Sequence, residues 1–96
     1  MGSLQIILKH REAITLAAKR CHVSNPRVFG SILHGTDTEH SDLDLLVDPL
    51  PGATLFDLGE LQLELENILG LPVDVLTPRD LPVKFRDAVL HEARPI

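Results

Sequence analysis

The sequence predicts an α/β (α+β) fold in which helices pack on one face of a small mixed β-sheet. Stretches with apolar residues at helical spacing alternate along the chain with short apolar runs that are typical of strands. Their order is helix, strand, strand, helix, strand, helix. The 96 residues are enough for one hydrophobic core but not for two, so we expect a single domain over residues 1–96.

The first third of the chain predicts a long helix, a short strand and a tight turn. The helix spans Ser3–Cys21, and a turn over Val23–Pro26 follows it. A strand over Arg27–Phe29 then leads into one helical turn over Ile32–His34, which Gly35 ends. The apolar face of the first helix consists of Leu4, Ile7, Leu8, Ile14, Ala17, Ala18 and Cys21.

The middle of the chain predicts a buried strand and a second long helix. The strand covers Asp42–Val47, and a proline-rich turn ends it. Thr54 is a helix cap, with Asp57 completing an approximate capping box. Gly70 is the left-handed residue that terminates this helix. The residues predicted to be buried along it are Leu55, Leu58, Leu61, Leu65, Ile68 and Leu69.

The last third predicts a third strand and a closing helix. The strand covers Pro72–Leu76, and Thr77 caps the proline-led turn after it. Val83–Ala93 has the composition of a helix, and we expect Phe85, Ala88 and Val89 to face inward. The helices therefore cover one face of the sheet, and the other face carries its acidic residues.

A candidate catalytic site lies within residues 28–48. Asp42 and Asp44 are two residues apart in a strand, so their side chains leave the same face. Neighbouring carboxylates repel each other unless a cation lies between them, and magnesium takes such oxygen ligands. The turn at Gly30 and Ser31 offers backbone N–H groups and a hydroxyl to a phosphate. This layout indicates phosphoryl or nucleotidyl transfer.

These residues resemble the signature of a known enzyme superfamily. Gly30-Ser31, ten intervening residues and Asp42-x-Asp44 are similar to the motif of the DNA polymerase β-like nucleotidyltransferases, in their minimal branch. Asp74 lies in an apolar strand where that family carries a third acid. The resemblance implies that the three acids hold two Mg²⁺ ions and that Asp74 also acts as general base. It implies that Gly30 and Ser31 bind the β- and γ-phosphates of ATP.

The resemblance also implies a biological role. Minimal nucleotidyltransferases of this kind are antitoxins of HEPN toxins, and they transfer AMP from ATP to a hydroxyl, expected to be that of a tyrosine, on the toxin. The modification silences the toxin's RNase activity, and the two chains can form a hetero-oligomer. Two alternatives stay open: an antitoxin that neutralises its partner by binding alone, and a transferase that acts on a small molecule.

Charge and composition exclude some other functions. The net charge of −5 argues against direct binding to a nucleic acid backbone. No apolar run approaches the length needed to cross a membrane, and no secretory leader opens the chain. The single cysteine, Cys21, cannot form an internal disulfide, so we expect a cytoplasmic location.

Several polar residues are not assigned to the site. His34 and His40 flank the loop between the predicted strands, and we expect both to be solvated. Ser41 is a candidate supporting residue for the acid pair. The spacing of Arg86 and His91 matches the RNase motif of HEPN toxins, but that motif works in an all-helical fold, so we expect the pair to lie on a solvated helix face.

Overall fold

One mixed sheet of four strands and five α-helices form the structure, a computed structural model that describes residues 3–37 and 42–96. The strands are β1 (Val23–Phe29), β2 (Leu43–Pro49), β3 (Val73–Leu76) and β4 (Arg94–Pro95). The helices are α1 (Ser3–Lys9), α2 (Arg11–Arg20), α3 (Ser31–His34), α4 (Leu55–Leu69) and α5 (Val83–Glu92). A 3₁₀ turn over Pro78–Asp80 lies between β3 and α5.

The sheet has the strand order β3-β2-β1-β4. β1 pairs antiparallel with both β2 and β4, whereas β2 and β3 are parallel and are joined through α4. This mixed sheet confirms the predicted fold class. The register places Asp44 beside Phe29 on one side and beside Asp74 on the other.

The hydrophobic core lies between one face of the sheet and helices α1, α2 and α4. Leu43, Leu45 and Val47 alternate along β2 onto this face and are fully buried. The helices contribute Ile7, Ile14, Ala17, Ala18, Leu61 and Leu65. The core is aliphatic, as expected for a chain in which the only aromatic residues are three Phe.

The ends of α4 follow the sequence prediction. The Thr54 side chain accepts a hydrogen bond from the Asp57 amide at 3.3 Å, and the Asp57 carboxylate accepts one from the Thr54 amide at 2.9 Å. This is a capping box, and Gly70 ends the helix with φ 71° and ψ 25°. One predicted core residue is wrong: Leu55 is 83% exposed, because it lies in the first turn of α4, beyond the reach of the core.

The first predicted helix is divided in two at His10. The His10 amide donates to the carbonyl oxygens of Ile6 and Ile7, at 3.2 Å and 3.1 Å, and the ring nitrogen Nδ1 lies 2.9 Å from the Ile6 oxygen. The His10 side chain thus contacts a carbonyl of the last turn of α1. Both halves still place apolar residues in the core, since Ile7 and Ile14 are fully buried.

β1 begins at Val23, so the predicted turn over Val23–Pro26 is wrong. The pairing with β2 is irregular between Ser24 and Arg27, and Asn25 has a φ of +54°. Such a bulge leaves a residue out of the ladder, which is how a strand accommodates a proline. The Asn25 amide and the Arg27 guanidinium both donate to the Asp48 carboxylate, at 3.1 Å and 2.6 Å.

The closing segment differs from the prediction in two ways. β4, which the sequence analysis missed, pairs with β1 through Arg94 and Pro95. None of the residues of α5 is fully buried. Phe85 is 54% exposed and Ala88 is exposed too, so the predicted inward positions of both are wrong. Val89 is half-buried, as predicted.

Among the described residues, no helix combines the length and the hydropathy needed to span a bilayer.

Candidate functional site

Two of the three predicted acids lie side by side on the sheet. Asp44 on β2 and Asp74 on β3 are register partners in a parallel pair, so their side chains leave the same face of the sheet. Asp42 directly precedes β2 and lies two residues before Asp44. Asp42 and Asp74 are exposed, while Asp44 is half-buried between its neighbours. The acids therefore form one cluster at the end of the sheet where β2 and β3 begin.

The negative charges of this acid cluster affect the pKa of Asp44. Burial raises the pKa of the Asp44 carboxyl, and the charges of Asp74 and Asp42 raise it further. The ion pairs found within residues 3–37 and 42–96 involve the other carboxylates Glu64, Asp57, Asp48 and Glu92. Within those ranges the cluster thus has no basic side chain paired with it, and its negative charge is available to a ligand.

Gly30 is required by the position of Asp44. Its φ of +79° and ψ of −154° lie in a region of backbone space that is essentially restricted to glycine. A Cβ at this position would collide with Oδ2 of Asp44 and would lie 3.2 Å from its Cγ. The backbone of Gly30 therefore lies closer to the Asp44 side chain than a residue with a Cβ could. The predicted Gly-Ser turn is thus next to the predicted acids.

Ser31 begins α3 directly after this turn. The first hydrogen bond of α3 runs from the His34 amide to the Gly30 carbonyl, at 3.2 Å. The amides that precede His34 in the helix have no intrahelical acceptor, and such amides are the groups that bind phosphate oxygens. Gly35 ends α3 in the left-handed conformation, as predicted. The turn thus presents N–H donors and a hydroxyl next to a cluster of carboxylates.

The donor set is chemically suited to magnesium. Carboxylate oxygens are the ligands that Mg²⁺ prefers, and unneutralised charge between Asp44 and Asp74 favours a cation there. Within residues 3–37 and 42–96, no group of three or more His, Cys, Asp or Glu side chains is arranged to hold a metal ion by itself. Magnesium usually keeps water and substrate phosphate among its ligands, so an open site with few protein ligands is what it requires.

The structure also locates the residues that the sequence analysis left out of the site. His34 places Nε2 3.2 Å from a carboxylate oxygen of Glu92, and both side chains are about half exposed. His40 and Ser41 lie outside the described residues. Neither histidine is therefore added to the site.

The predicted solvated position of Arg86 is wrong, whereas His91 is exposed as expected. Arg86 is half-buried, and its Nη2 donates to the carbonyls of Leu81 and Arg79, at 3.0 Å and 3.4 Å. These bonds attach α5 to the segment after β3. Arg86 therefore has a structural role, which its spacing from His91 in the sequence did not indicate.

Phe29 is a neighbour of the site that the sequence analysis missed. It is the register partner of Asp44 across β1 and β2, and it lies on the same face of the sheet. Only the strand register shows this, and no local pattern in residues 27–44 encodes it. Phe29 is itself half-buried.

Comparison with known sequences identifies relatives over most of the chain. Residues 11–96 match the family described as polymerase beta nucleotidyltransferase. The protein adenylyltransferase MntA of Thermococcus cleftensis is 36% identical over 92 residues, which cover 91% of this chain and 93% of the relative. A Methanocaldococcus jannaschii protein provisionally named a protein adenylyltransferase is 41% identical over 71 residues, 74% of this chain and 76% of the relative.

Comparison with solved structures gives the same result for the fold. A structure provisionally described as a minimal nucleotidyltransferase superimposes with a TM-score of 0.86 and 41% identity, covering all of this chain and 97% of the other. A crystal structure described as a toxin–antitoxin with AMP-PNP superimposes with a TM-score of 0.71 and 21% identity, over 88% of this chain and 69% of the other. The second likeness concerns the fold alone.

Proposed function

Because the chain belongs to the polymerase β-like nucleotidyltransferase family, as a minimal nucleotidyltransferase homologous to the MntA protein adenylyltransferases, we propose that it transfers AMP from ATP to a hydroxyl group of a partner protein. The observation that carries the proposal is the pairing of Asp44 with Asp74 directly against the backbone of Gly30. This arrangement places candidate metal ligands beside a turn proposed to bind phosphate, and transfer from a nucleoside triphosphate requires both.

Asp42, Asp44 and Asp74 are the residues proposed to hold magnesium, with two ions expected. Bound Mg²⁺ would neutralise the triphosphate and stabilise the charge that develops at the α-phosphate. Asp44 is the central residue of the proposed magnesium site, since it is half-buried and lies against the Gly30 backbone. Asp42 and Asp74 are exposed on either side of it and are open to a large ligand.

Gly30 and Ser31 are proposed to bind the β- and γ-phosphates. Any side chain at position 30 would occupy the space next to the Asp44 carboxylate, so glycine keeps that space open. The amides at the start of α3 and the Ser31 hydroxyl would donate hydrogen bonds to phosphate oxygens. These contacts would fix the triphosphate with its α-phosphorus above the acid cluster.

The reaction is an in-line displacement at that α-phosphorus. The acceptor oxygen forms a new P–O bond while the bond to pyrophosphate breaks, and pyrophosphate leaves. Asp74 is proposed as the general base that takes the acceptor's proton. Its exposed position at the start of β3 is suited to a large acceptor approaching from solvent.

The acceptor is proposed to be a tyrosine hydroxyl on a HEPN-domain toxin, in the cytoplasm. Two comparisons support a protein acceptor in a toxin–antitoxin pair: MntA is named a protein adenylyltransferase, and a protein of the same fold is described as a toxin–antitoxin with AMP-PNP. AMP on that tyrosine would silence the toxin's RNase activity.

Incubation with α-labelled ATP, magnesium and the protein encoded by the neighbouring gene tests the proposal. The matched control is Asp42→Asn, which keeps the size of an exposed side chain and removes its charge. We expect label on the partner with the parent chain and none with the variant. Equal labelling by both would refute the assignment of the acids.

Neutralisation by binding alone is a second candidate, and the exposed apolar surface favours it. Leu55 and Phe56, which are adjacent in the first turn of α4, are 83% and 89% exposed, and neighbouring exposed apolar side chains of this size are found at protein interfaces. A stable complex that silences the partner without ATP and magnesium would establish this function. Loss of protection when ATP is omitted would exclude it.

A further inference from the structure

Helix α5 crosses the face of the sheet that carries the acid cluster. It begins after the turn that follows β3, at one edge of the sheet, and it ends beside β4 at the opposite edge. The other face is occupied by α1, α2 and α4, and none of the residues of α5 belongs to the core there. Leu46, which lies on the same face as Asp44, is fully buried although it is not part of that core. The segment after β3 therefore covers the acid-bearing face and forms one wall of the site.

The orientation of α5 follows from its partly buried residues and one ion pair. Arg86, Val89 and Ala93 are half-buried and recur at helical spacing, so they face the sheet. Phe85 and Glu92 are seven residues apart and project from one flank. Glu92 contacts His34, the last residue of α3, and Ser31 is the first residue of the same helix. This flank of α5 therefore faces α3, where the proposed phosphate site lies.

We propose that Phe85 binds the nucleobase of the substrate by stacking, an inference that rests on the proposed function. Its ring is 54% exposed, and it lies on the same flank of α5 as Glu92, which contacts His34. A nucleotide whose phosphates lie at Gly30 and Ser31 extends its base away from the sheet, and α5 is the wall it meets. Phe29, the other aromatic residue on this face, is half-buried on the sheet beside Asp44, where the phosphates and metal would lie.

An exposed phenyl ring is suited to binding a nucleobase. Aromatic side chains stack on every nucleobase because each base has a π-face, and the contact tolerates any base. The Lys84 ammonium lies 5.8 Å from the centroid of the Phe85 ring. It makes a cation–π contact that restrains the ring without covering it, because the ring keeps half of its surface exposed. Phe85 thus gives affinity for nucleosides and little preference among them.

Titration calorimetry with two probes tests the inference: Mg-ATP, which has a base, and magnesium tripolyphosphate, which does not. Stacking is worth about 1–3 kcal/mol per base, so we expect Phe85→Ala to weaken ATP binding by about 5- to 150-fold. Binding of tripolyphosphate should not change. Phe85→Trp should restore ATP binding, whereas Phe85→Leu, which keeps an apolar side chain but no π-face, should not.

Phe56→Ala is the matched control, because Phe56 is also an exposed phenylalanine and lies on α4, away from the acid-bearing face. It should leave the binding of both probes unchanged. Equal ATP affinity in Phe85→Ala and the parent would overturn the inference, and so would an equal loss for both probes, which would assign Phe85 a structural role. Failure of the parent chain to bind either probe would instead refute the proposed function, and the inference with it.

Discussion

The substitution Gly30→Ala tests the contact on which the candidate site depends. Two separate costs are expected in the free energy of unfolding. The backbone at φ +79° and ψ −154° strains any residue with a Cβ, at about 1–3 kcal/mol. The new methyl group also collides with Oδ2 of Asp44, and turning that side chain away from its rotamer costs about 0.5–1.5 kcal/mol. The total is about 1.5–4.5 kcal/mol.

Thermal unfolding followed by circular dichroism measures this change. In a domain of this length, 1 kcal/mol shifts Tm by about 4–8 °C, so we expect Gly30→Ala to lower Tm by about 6–36 °C. Gly35→Ala is the matched control. Gly35 also has a positive φ, +71°, but a Cβ there meets no atom within 4 Å, so only the cost of the left-handed backbone remains, about 1–2 kcal/mol.

A double-mutant cycle separates the two costs. In an Asp44→Ala background the collision is absent, so Gly30→Ala should cost about 0.5–1.5 kcal/mol less than in the parent chain. Equal costs of Gly30→Ala in both backgrounds, together with equal costs at positions 30 and 35, would refute the close approach of Gly30 to Asp44. The proposed phosphate turn would then not adjoin the acids.

Three further predictions concern ionisation, capping and packing. The raised pKa of Asp44 means that the folded state binds more protons than the unfolded chain above the ordinary value of 3.8, so the ionised carboxylate lowers stability as pH rises. Without magnesium, Asp44→Asn should therefore have a higher Tm than the parent at pH 7, and the difference should vanish below pH 3.8; a lower Tm at pH 7 would contradict this. Thr54→Ala removes the capping box of α4 and should cost about 1 kcal/mol, seen as a Tm about 4–8 °C lower, whereas an unchanged Tm would show that the box is not formed in solution. Leu61→Ala should cost about 2–5 kcal/mol in urea unfolding and Leu55→Ala almost nothing, because the first side chain is fully buried and the second is 83% exposed; similar costs would mean that α4 is rotated.

The site residues could be predicted from the sequence because each lies in a local pattern. Asp42 and Asp44 have the two-residue spacing of a strand face, and Asp74 interrupts an apolar run. Gly30 precedes a residue that can begin a helix. The structure brings Gly30, Asp44 and Asp74 together, and their roles in binding and catalysis stay predictions.

The parts that the sequence did not predict depend on contacts between distant residues. β4 has two residues and no periodicity, and it exists because it pairs with β1. β1 accommodates Pro26 through a bulge whose Asn25 is held by Asp48 on the neighbouring strand. The exposure of Phe85 likewise depends on how α5 lies across the sheet, because helical spacing alone does not specify which face turns inward. Strand registers and helix orientations of this kind are tertiary properties.

The central claim is that Asp44 and its neighbours bind a magnesium–nucleotide complex, and Tm measured with magnesium and a non-hydrolysable ATP analogue tests it most directly. A ligand at 100 times its Kd stabilises the folded state by about 2.7 kcal/mol, which corresponds to a rise in Tm of about 10–20 °C. We expect this rise in the parent chain only when magnesium and the analogue are both present, and no rise in Asp44→Asn. An equal rise in both chains would show that nucleotide binds without the acid cluster, and this would contradict the account.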